Sequence, residues 1–295
     1  MNAKDKLRQA YEEFDRTNYG VASDLFAEAI ELQPSLLQSG VGVALAHSLI
    51  LSLDWEKVTN YLPPNSNIFD ASGWLKSLAS EKPVDSLSQP IPWYTYPAIE
   101  FIEDKIKSDF KVFEYGSGHS TLWWANKVQE IVSIESNKNW HNYLKSSLTK
   151  LEKSENINLY LSEEAQDYIQ KINEFPPHYF DVIIVDGEHR PECAKEAYLR
   201  LKENGFIILD DTDREYYDDI LRFLDQEGFF RIDFVGMTPS LVYKNSTSIL
   251  FKDINFLKNN ITPSQKESCL GKSFFQPDEE QNLYFDDLEH LYLFD

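Results

Sequence analysis

No apolar run in this 295-residue chain approaches the roughly 20 residues that span a membrane. Its first residues, MNAKDKLRQAYEEF, lack the apolar core of a signal peptide. Basic patches are missing as well: 28 lysines and arginines are scattered among 49 acids, for a formal net charge of −21. Such a chain repels phosphate backbones and anionic lipid, which excludes nucleic acid and membrane surfaces as partners. Cysteine is scarce. Cys193 and Cys269 are too few for a disulfide framework and have no metal-ligand spacing, which fits a reducing compartment. These absences predict a soluble, cytoplasmic protein. What is present is ample core material: 42% hydrophobic residues, with aromatics at 14%.

Residues 1–80 read as all-helical. Leu7, Ala10, Tyr11 and Phe14 share one helical face; after a turn at Asn18, Tyr19, Ala22, Leu25, Phe26, Ala29 and Ile30 share another, and Pro34 ends it. Two short helices with small residues at their crossing resemble a tetratricopeptide hairpin. A degenerate second copy is suggested by the pairs Ala10/Ala46, Tyr19/Trp55 and Ala22/Val58, each 36 positions apart. The resemblance implies a surface for a protein partner or for self-association. Such arrays need about three units to stand alone, so a helical cap packed on the next domain is the other reading.

Residues 81–92, EKPVDSLSQPIP, are rich in proline and serine and read as a linker. From 93 to 253, β-like runs alternate with helix-like ones, the pattern of a parallel sheet with crossover helices. The predicted strands begin at Lys111, Glu130, Ile157, Phe180 and Gly205, with helices over 120–127, 138–152, 163–173 and 191–203. Two last strands, from Phe230 and Ser246, have no helix between them and predict an antiparallel hairpin at the sheet edge. Residues 254–295 read as an acidic, aromatic tail docked on the rest.

The stretch FEYGSGHSTLWWA, Phe113 to Ala125, sets a glycine turn between the first strand and a helix, where backbone can approach a ligand closely. A dinucleotide fingerprint needs a third glycine, and Thr121 stands there instead. Glu114 also disfavours a diphosphate and suits a cationic or zwitterionic ligand. The second strand ends in Glu135, an acid placed to take both hydroxyls of a ribose. Acid-x-Gly-x-Gly, a second acid and a final antiparallel hairpin together resemble a class I S-adenosylmethionine-dependent methyltransferase. That resemblance implies a Rossmann-like, mostly parallel seven-stranded sheet. It implies that Glu114, with Gly116, Ser117, Gly118 and Thr121, holds the methionine part of the cofactor, Glu114 meeting the ammonium directly or through water. It places Glu135 on the ribose, Ser162 and Glu163 near the adenine, and Asp186 at the cofactor.

Methyl transfer needs a nucleophile aligned on the methyl group and a base for its proton. VDGEHR and LDDTD, at the ends of the fourth and fifth strands, supply the candidates Asp186, His189, Asp210 and Asp211. One acid followed by an acidic pair resembles the divalent-metal site of catechol-type and sugar O-methyltransferases, which implies Mg²⁺ held by Asp186, Asp210 and Asp211. The alternatives are acids that cap helices or stay solvated, and a metal-free site with His189 as base. Trp93, Tyr94 and Tyr96 either stack on the acceptor, wall the cofactor pocket or bury against the helical cap. The expected reaction is O-methylation of a small, polar, sugar-like acceptor. The alternatives are a protein methyltransferase that recruits its substrate through the helices, an aminopropyltransferase, and a non-catalytic cofactor-binding scaffold.

Overall fold

The computed structural model describes residues 2–53, 72–148 and 155–258. Helices α1 (Ala3–Asp15), α2 (Tyr19–Leu32) and α3 (Gly40–Leu51) come first. Ala10, Ala22 and Ala29 at the α1–α2 crossing let the two backbones close around the buried Phe26, which meets Tyr11 edge to face at 4.9 Å. The predicted hairpin is there. Of its suggested second copy, Ala46 lies in α3, while Trp55 and Val58 fall outside the described residues.

Helix α4 (Trp74–Ser80) belongs to the core of the sheet domain rather than to the hairpin, since Trp74 and Leu78 are buried in the same cluster as strands of the sheet. Trp74 donates its indole N–H to the Leu241 carbonyl at 2.9 Å. His47 Nε2 lies 2.8 Å from the Leu78 carbonyl and ties α3 to α4. The segment read as a linker is packed: Val84 and Ile91 are buried, Ser77 bonds Val84 in both directions, and Asp85 accepts the N–H groups of Leu87 and Gln89.

The seven strands are β1 (Lys111–Tyr115), β2 (Glu130–Glu135), β3 (Ile157–Leu161), β4 (Phe180–Val185), β5 (Leu201–Asp210), β6 (Phe230–Met237) and β7 (Lys244–Phe251). Their order is β3-β2-β1-β4-β5-β7-β6, parallel through β5, with β7 antiparallel to both β5 and β6. Period-2 alternation sorts the side chains onto two faces. Phe113, Tyr115, Ile183, Val185, Ile207 and Leu209 join one core, and Val112, Val182, Ile184, Phe206 and Ile208 the other. The remaining helices are α5 (Tyr96–Glu103), α6 (His119–Ala125), α7 (Lys138–Leu148), α8 (Ala165–Gln170), α9 (Arg190–Ala197) and α10 (Asp218–Gln226). α10 has no counterpart among the predicted helices, and β5 starts four residues before the predicted Gly205. No helix among the described residues is long and apolar enough to cross a membrane. Most of the tail lies outside the described residues; within them it contributes Phe256, packed on Phe206 and Phe251.

Candidate active site

β1 and β4 lie side by side, so the turns after them meet at the carboxyl edge of the sheet, where ligands bind in open α/β folds. Gly116, at φ +90°, lies so close to the Asp186–Gly187 backbone that a Cβ would come within 2.6 Å of Gly187. The first glycine is therefore required by a backbone-to-backbone approach. Gly118 differs: a Cβ there would meet only the Ser120 hydroxyl, at 3.9 Å, so its side faces open space. A cleft of about 600 Å³ opens here, lined among others by Gly118, Glu135, Trp140, Asp186, Arg190 and Tyr243.

Glu114 does not line this cleft. It is fully buried beneath the glycine turn, where the hydroxyls of Ser120, Thr121 and Ser133 donate to its carboxylate at 2.5, 2.5 and 2.6 Å. Burial, against these three donors, lifts its pKa to about 7. Thr121 is buried with it and also accepts the Gly118 N–H at 2.9 Å. Both residues shape the loop from within, a correction to their expected contact with a ligand. The reason is the strand's alternation: Glu114 shares a face with Val112, toward α6, and not the sheet edge.

Glu135 does line the cleft. Its Oε2 accepts the Ser117 N–H at 3.1 Å, and its Oε1 accepts the N–H groups of Ser136 and Asn137 at 2.9 and 2.8 Å. Three backbone donors fix the carboxylate and leave one lone-pair site, on Oε2, for a further hydroxyl. Trp140 closes this end, donating its indole N–H to the Ser117 carbonyl at 2.6 Å and stacking on Tyr143. Ser162 lines a neighbouring hollow instead, with its N–H on the Glu135 carbonyl, and the exposed Glu163 lines neither. Their expected place by an adenine is not within this cleft.

At the other end Asp186, Asp210 and Asp211 converge as the acid pattern predicts. A guanidinium stands among them. Arg190 donates from Nε to the Gly187 carbonyl (3.0 Å), from Nη1 to the Asp210 carbonyl (2.6 Å) and from Nη2 to the Asp186 carbonyl (3.1 Å). It also pairs with Asp186 Oδ1 at 3.1 Å and Asp211 Oδ2 at 3.0 Å, and lies over the Tyr217 ring. Asp211 is further held by Arg214 at 2.7 Å and by Asn245, whose amide donates at 2.7 Å. Thr247 donates to Asp210 at 2.5 Å while accepting the Thr95 N–H at 3.0 Å. Mg²⁺ wants oxygens free to close an octahedron at about 2.0–2.1 Å. Here at least one oxygen of each acid already serves a cationic or neutral donor, and no group of three or more His, Cys, Asp or Glu among the described residues is arranged to hold a metal. The donor set does not fit the expected divalent ion.

Burial raises Asp186 to about 6, with Arg190 opposing and Asp211 adding to the rise. Asp210 is pushed well above the carboxylate range, first by burial and then by Asp186 and Asp211. His189 is exposed, sits at φ +51° ahead of α9 and does not line the cleft, its ring lying 6.5 Å from that of Tyr168. His189 thus stands outside the cleft that Asp186, Asp210 and Asp211 line. Of the three aromatics before α5, Trp93 lines the cleft, fixed by its N–H on the Pro239 carbonyl at 2.6 Å, while Tyr94 and Tyr96 are buried. Arg190, Arg214, Asn245, Trp140 and Tyr243 are site residues that the sequence patterns do not single out. Only Arg190 carried a signal, its spacing of four from Asp186 at a helix start.

Residues 113–212 match a family model described as a methyltransferase domain. No curated protein matches the chain by sequence. Among solved structures, the O-methyltransferase TomG of Streptomyces achromogenes, involved in tomaymycin synthesis and solved with SAM, is 14% identical over 68% of this chain and 99% of its own, at a TM-score of 0.47. A precorrin-6y C5,15-methyltransferase from Geobacter metallireducens is 16% identical over 53% of this chain and 87% of its own, at 0.45. The family match and the strand order agree that residues 113–212, the heart of the sheet domain, are similar to a methyltransferase domain.

Proposed function

We propose that the protein transfers a methyl group from S-adenosylmethionine to a hydroxyl of a small polar acceptor, sugar-like in its polarity, with Asp186 as the base. The observation that carries this reading is one cleft with Glu135 at one end and Asp186 at the other, joined by the open side of Gly118. Glu135 offers its one remaining lone-pair site, on Oε2, to a ligand hydroxyl. The acidic lining suits a ligand bearing sulfonium and ammonium charges. That ligand supplies an electrophilic methyl group. The chain's own residues do the rest: Trp93 and Tyr243 give the acceptor aromatic walls, and Asp186, held at about 6, is ionised and still basic at neutral pH. In the transfer the acceptor oxygen bonds the methyl carbon, the carbon–sulfur bond breaks, and the acceptor proton passes to Asp186.

Calorimetry with S-adenosylhomocysteine tests the cofactor half. Glu135→Ala is expected to weaken binding by about 1–3 kcal/mol, the range for charged hydrogen bonds. A wild type that shows no binding at millimolar ligand would sink the whole reading. For the catalytic half, methyl transfer to a panel of sugars and diols is expected to rise with pH through about 6. Asp186→Asn is expected to lower it by roughly 10²–10⁴-fold, the usual weight of a general base. An Asp186→Asn variant with full turnover would remove Asp186 from that role.

A further inference from the structure

We propose that Arg190 is the built-in counter-cation of this cleft: it holds the place a divalent ion would need among Asp186, Asp210 and Asp211, so the cleft works without one. Four observations support this. The guanidinium meets both turns of the cluster, with hydrogen bonds to the carbonyls of Asp186, Gly187 and Asp210 and ion pairs to Asp186 and Asp211. The three hydrogen bonds engage all three nitrogens of the guanidinium, Nε, Nη1 and Nη2, so its plane is held in one orientation. It cannot lose its charge, unlike a lysine or histidine in the same place. Its position is also fixed on both sides: it is the first residue of α9, followed by Pro191, and the Tyr217 ring lies 5.6 Å from its Cζ.

A metal ion entering this cluster would meet a fixed positive charge about 3 Å from two of its intended ligands. Both Asp211 oxygens and one Asp210 oxygen also serve other donors, Asn245 and Arg214 at Asp211 and Thr247 at Asp210. An ion would have to displace the guanidinium, and the three carbonyls it serves would then lose their donor. Arg190 is thus a positioning residue. It fixes the Asp186 carboxylate toward the cleft and supplies the charge that lets three acids share one sheet edge. Methyl transfer without a divalent ion rests on the function proposed above; the exclusion of a cation from the cluster does not.

The test is Mn²⁺ binding followed by electron paramagnetic resonance, on the full chain and without acceptor or cofactor. Wild type is expected to bind no Mn²⁺ at this cluster. Arg190→Ala, which uncovers the carboxylates, is expected to gain a site at least about tenfold tighter than any in wild type, a difference of about 1.4 kcal/mol. Arg190→Lys, which keeps a cation there, is expected to stay silent, and Asp211→Asn placed in the Arg190→Ala background is expected to remove the gained site. A merely structural role for Arg190 would produce none of this gain. Wild type that binds Mn²⁺ and loses it on Asp186→Asn overturns the proposal. So does a folded Arg190→Ala that gains nothing. Should Arg190→Ala fail to fold, the wild-type and Arg190→Lys titrations decide: silence in both supports the proposal, and a wild-type site lost in Asp186→Asn refutes it. Binding of S-adenosylhomocysteine, measured separately, reports on the methyltransferase reading and leaves this result independent of it.

Discussion

The two ends of the cleft bury acids in opposite ways. Under the glycine turn, Glu114 is surrounded by neutral donors, three hydroxyls from Ser120, Thr121 and Ser133, and no ion pair reaches it among the described residues. At the β4–β5 end, Asp186 and Asp211 are held by guanidinium groups. Neutral donors shape a carboxylate's environment but leave most of its desolvation uncompensated, which is why burial still dominates and lifts Glu114 to about 7. A cation compensates charge directly, at the cost of its own dehydration, and holds Asp186 at about 6 against the rise that burial still causes. The difference teaches where ionisation is wanted. On the function proposed above, the loop at the Glu135 end needs a rigid hub whose charge is incidental, whereas the Asp186 end needs a carboxylate that is ionised and open to the cleft.

Neutralising one charge at each end should therefore have opposite signs. Replacing Arg190 by Met keeps the volume of the stem but strands the carboxylates. Removing one partner of a buried ion pair typically destabilises by about 3–5 kcal/mol, and a loss of that size is expected in urea unfolding at pH 7. A loss under about 1 kcal/mol would mean that water or Arg214 carries the compensation, and the contrast between the ends would fail.

Glu114→Gln should do the reverse. The folded-state pKa of Glu114, about 7, lies above its ordinary 4.5. Between those values the native state holds a proton that the unfolded chain has released. The stability this proton represents is fully present below about 4.5 and is lost as pH rises through about 7. Glutamine carries no such liability, because its amide can face Ser120, whose hydroxyl can turn to accept, while its carbonyl faces Thr121 and Ser133. Wild type is expected to lose stability relative to Glu114→Gln as pH rises, by up to about 1.4 kcal/mol per unit within that window. Parallel pH–stability curves would show that Glu114 is ionised at no unusual cost.

Much of this was legible in the residues. The alternation of strands and helices, the final antiparallel pair, Glu135 and the convergence of Asp186, Asp210 and Asp211 all come from local patterns that the fold keeps. What was not legible depends on direction. Glu114 and Thr121 stand where a ligand-binding motif has them, yet strand alternation and a buried hydroxyl cluster turn them inward. His189 sits next to the acids in sequence, but at a left-handed turn it stays outside the cleft, while Arg190, one residue on, reaches the turns after both β4 and β5. Helix α10 escaped because DDILRFLDQ is short and mostly polar, with Ile220, Leu221 and Leu224 as its only buried residues. The segment at 81–92 has the composition of a linker, and only long-range bonds such as Ser77 to Val84 make it part of the core.

The smallest effect tests whether the cofactor end really rests on neutral donors shared among several residues. Ser117 is pinned three ways: its N–H on Glu135, its hydroxyl against Ser133 at 2.7 Å, and its carbonyl on the Trp140 indole. Trp140→Phe removes only the last of these and keeps an aromatic ring against Tyr143. The freed carbonyl borders the cleft, where water can replace the lost donor, so the cost should stay near the low end of a neutral hydrogen bond, about 0.5–1 kcal/mol in unfolding free energy. With two pins left, the loop should keep its place, and S-adenosylhomocysteine affinity should fall by no more than about fivefold, equivalent to about 1 kcal/mol. Abolished binding with unchanged stability would point elsewhere: the indole would then be touching the ligand itself, and the wall at this end would be a contact surface rather than a set of struts for Ser117.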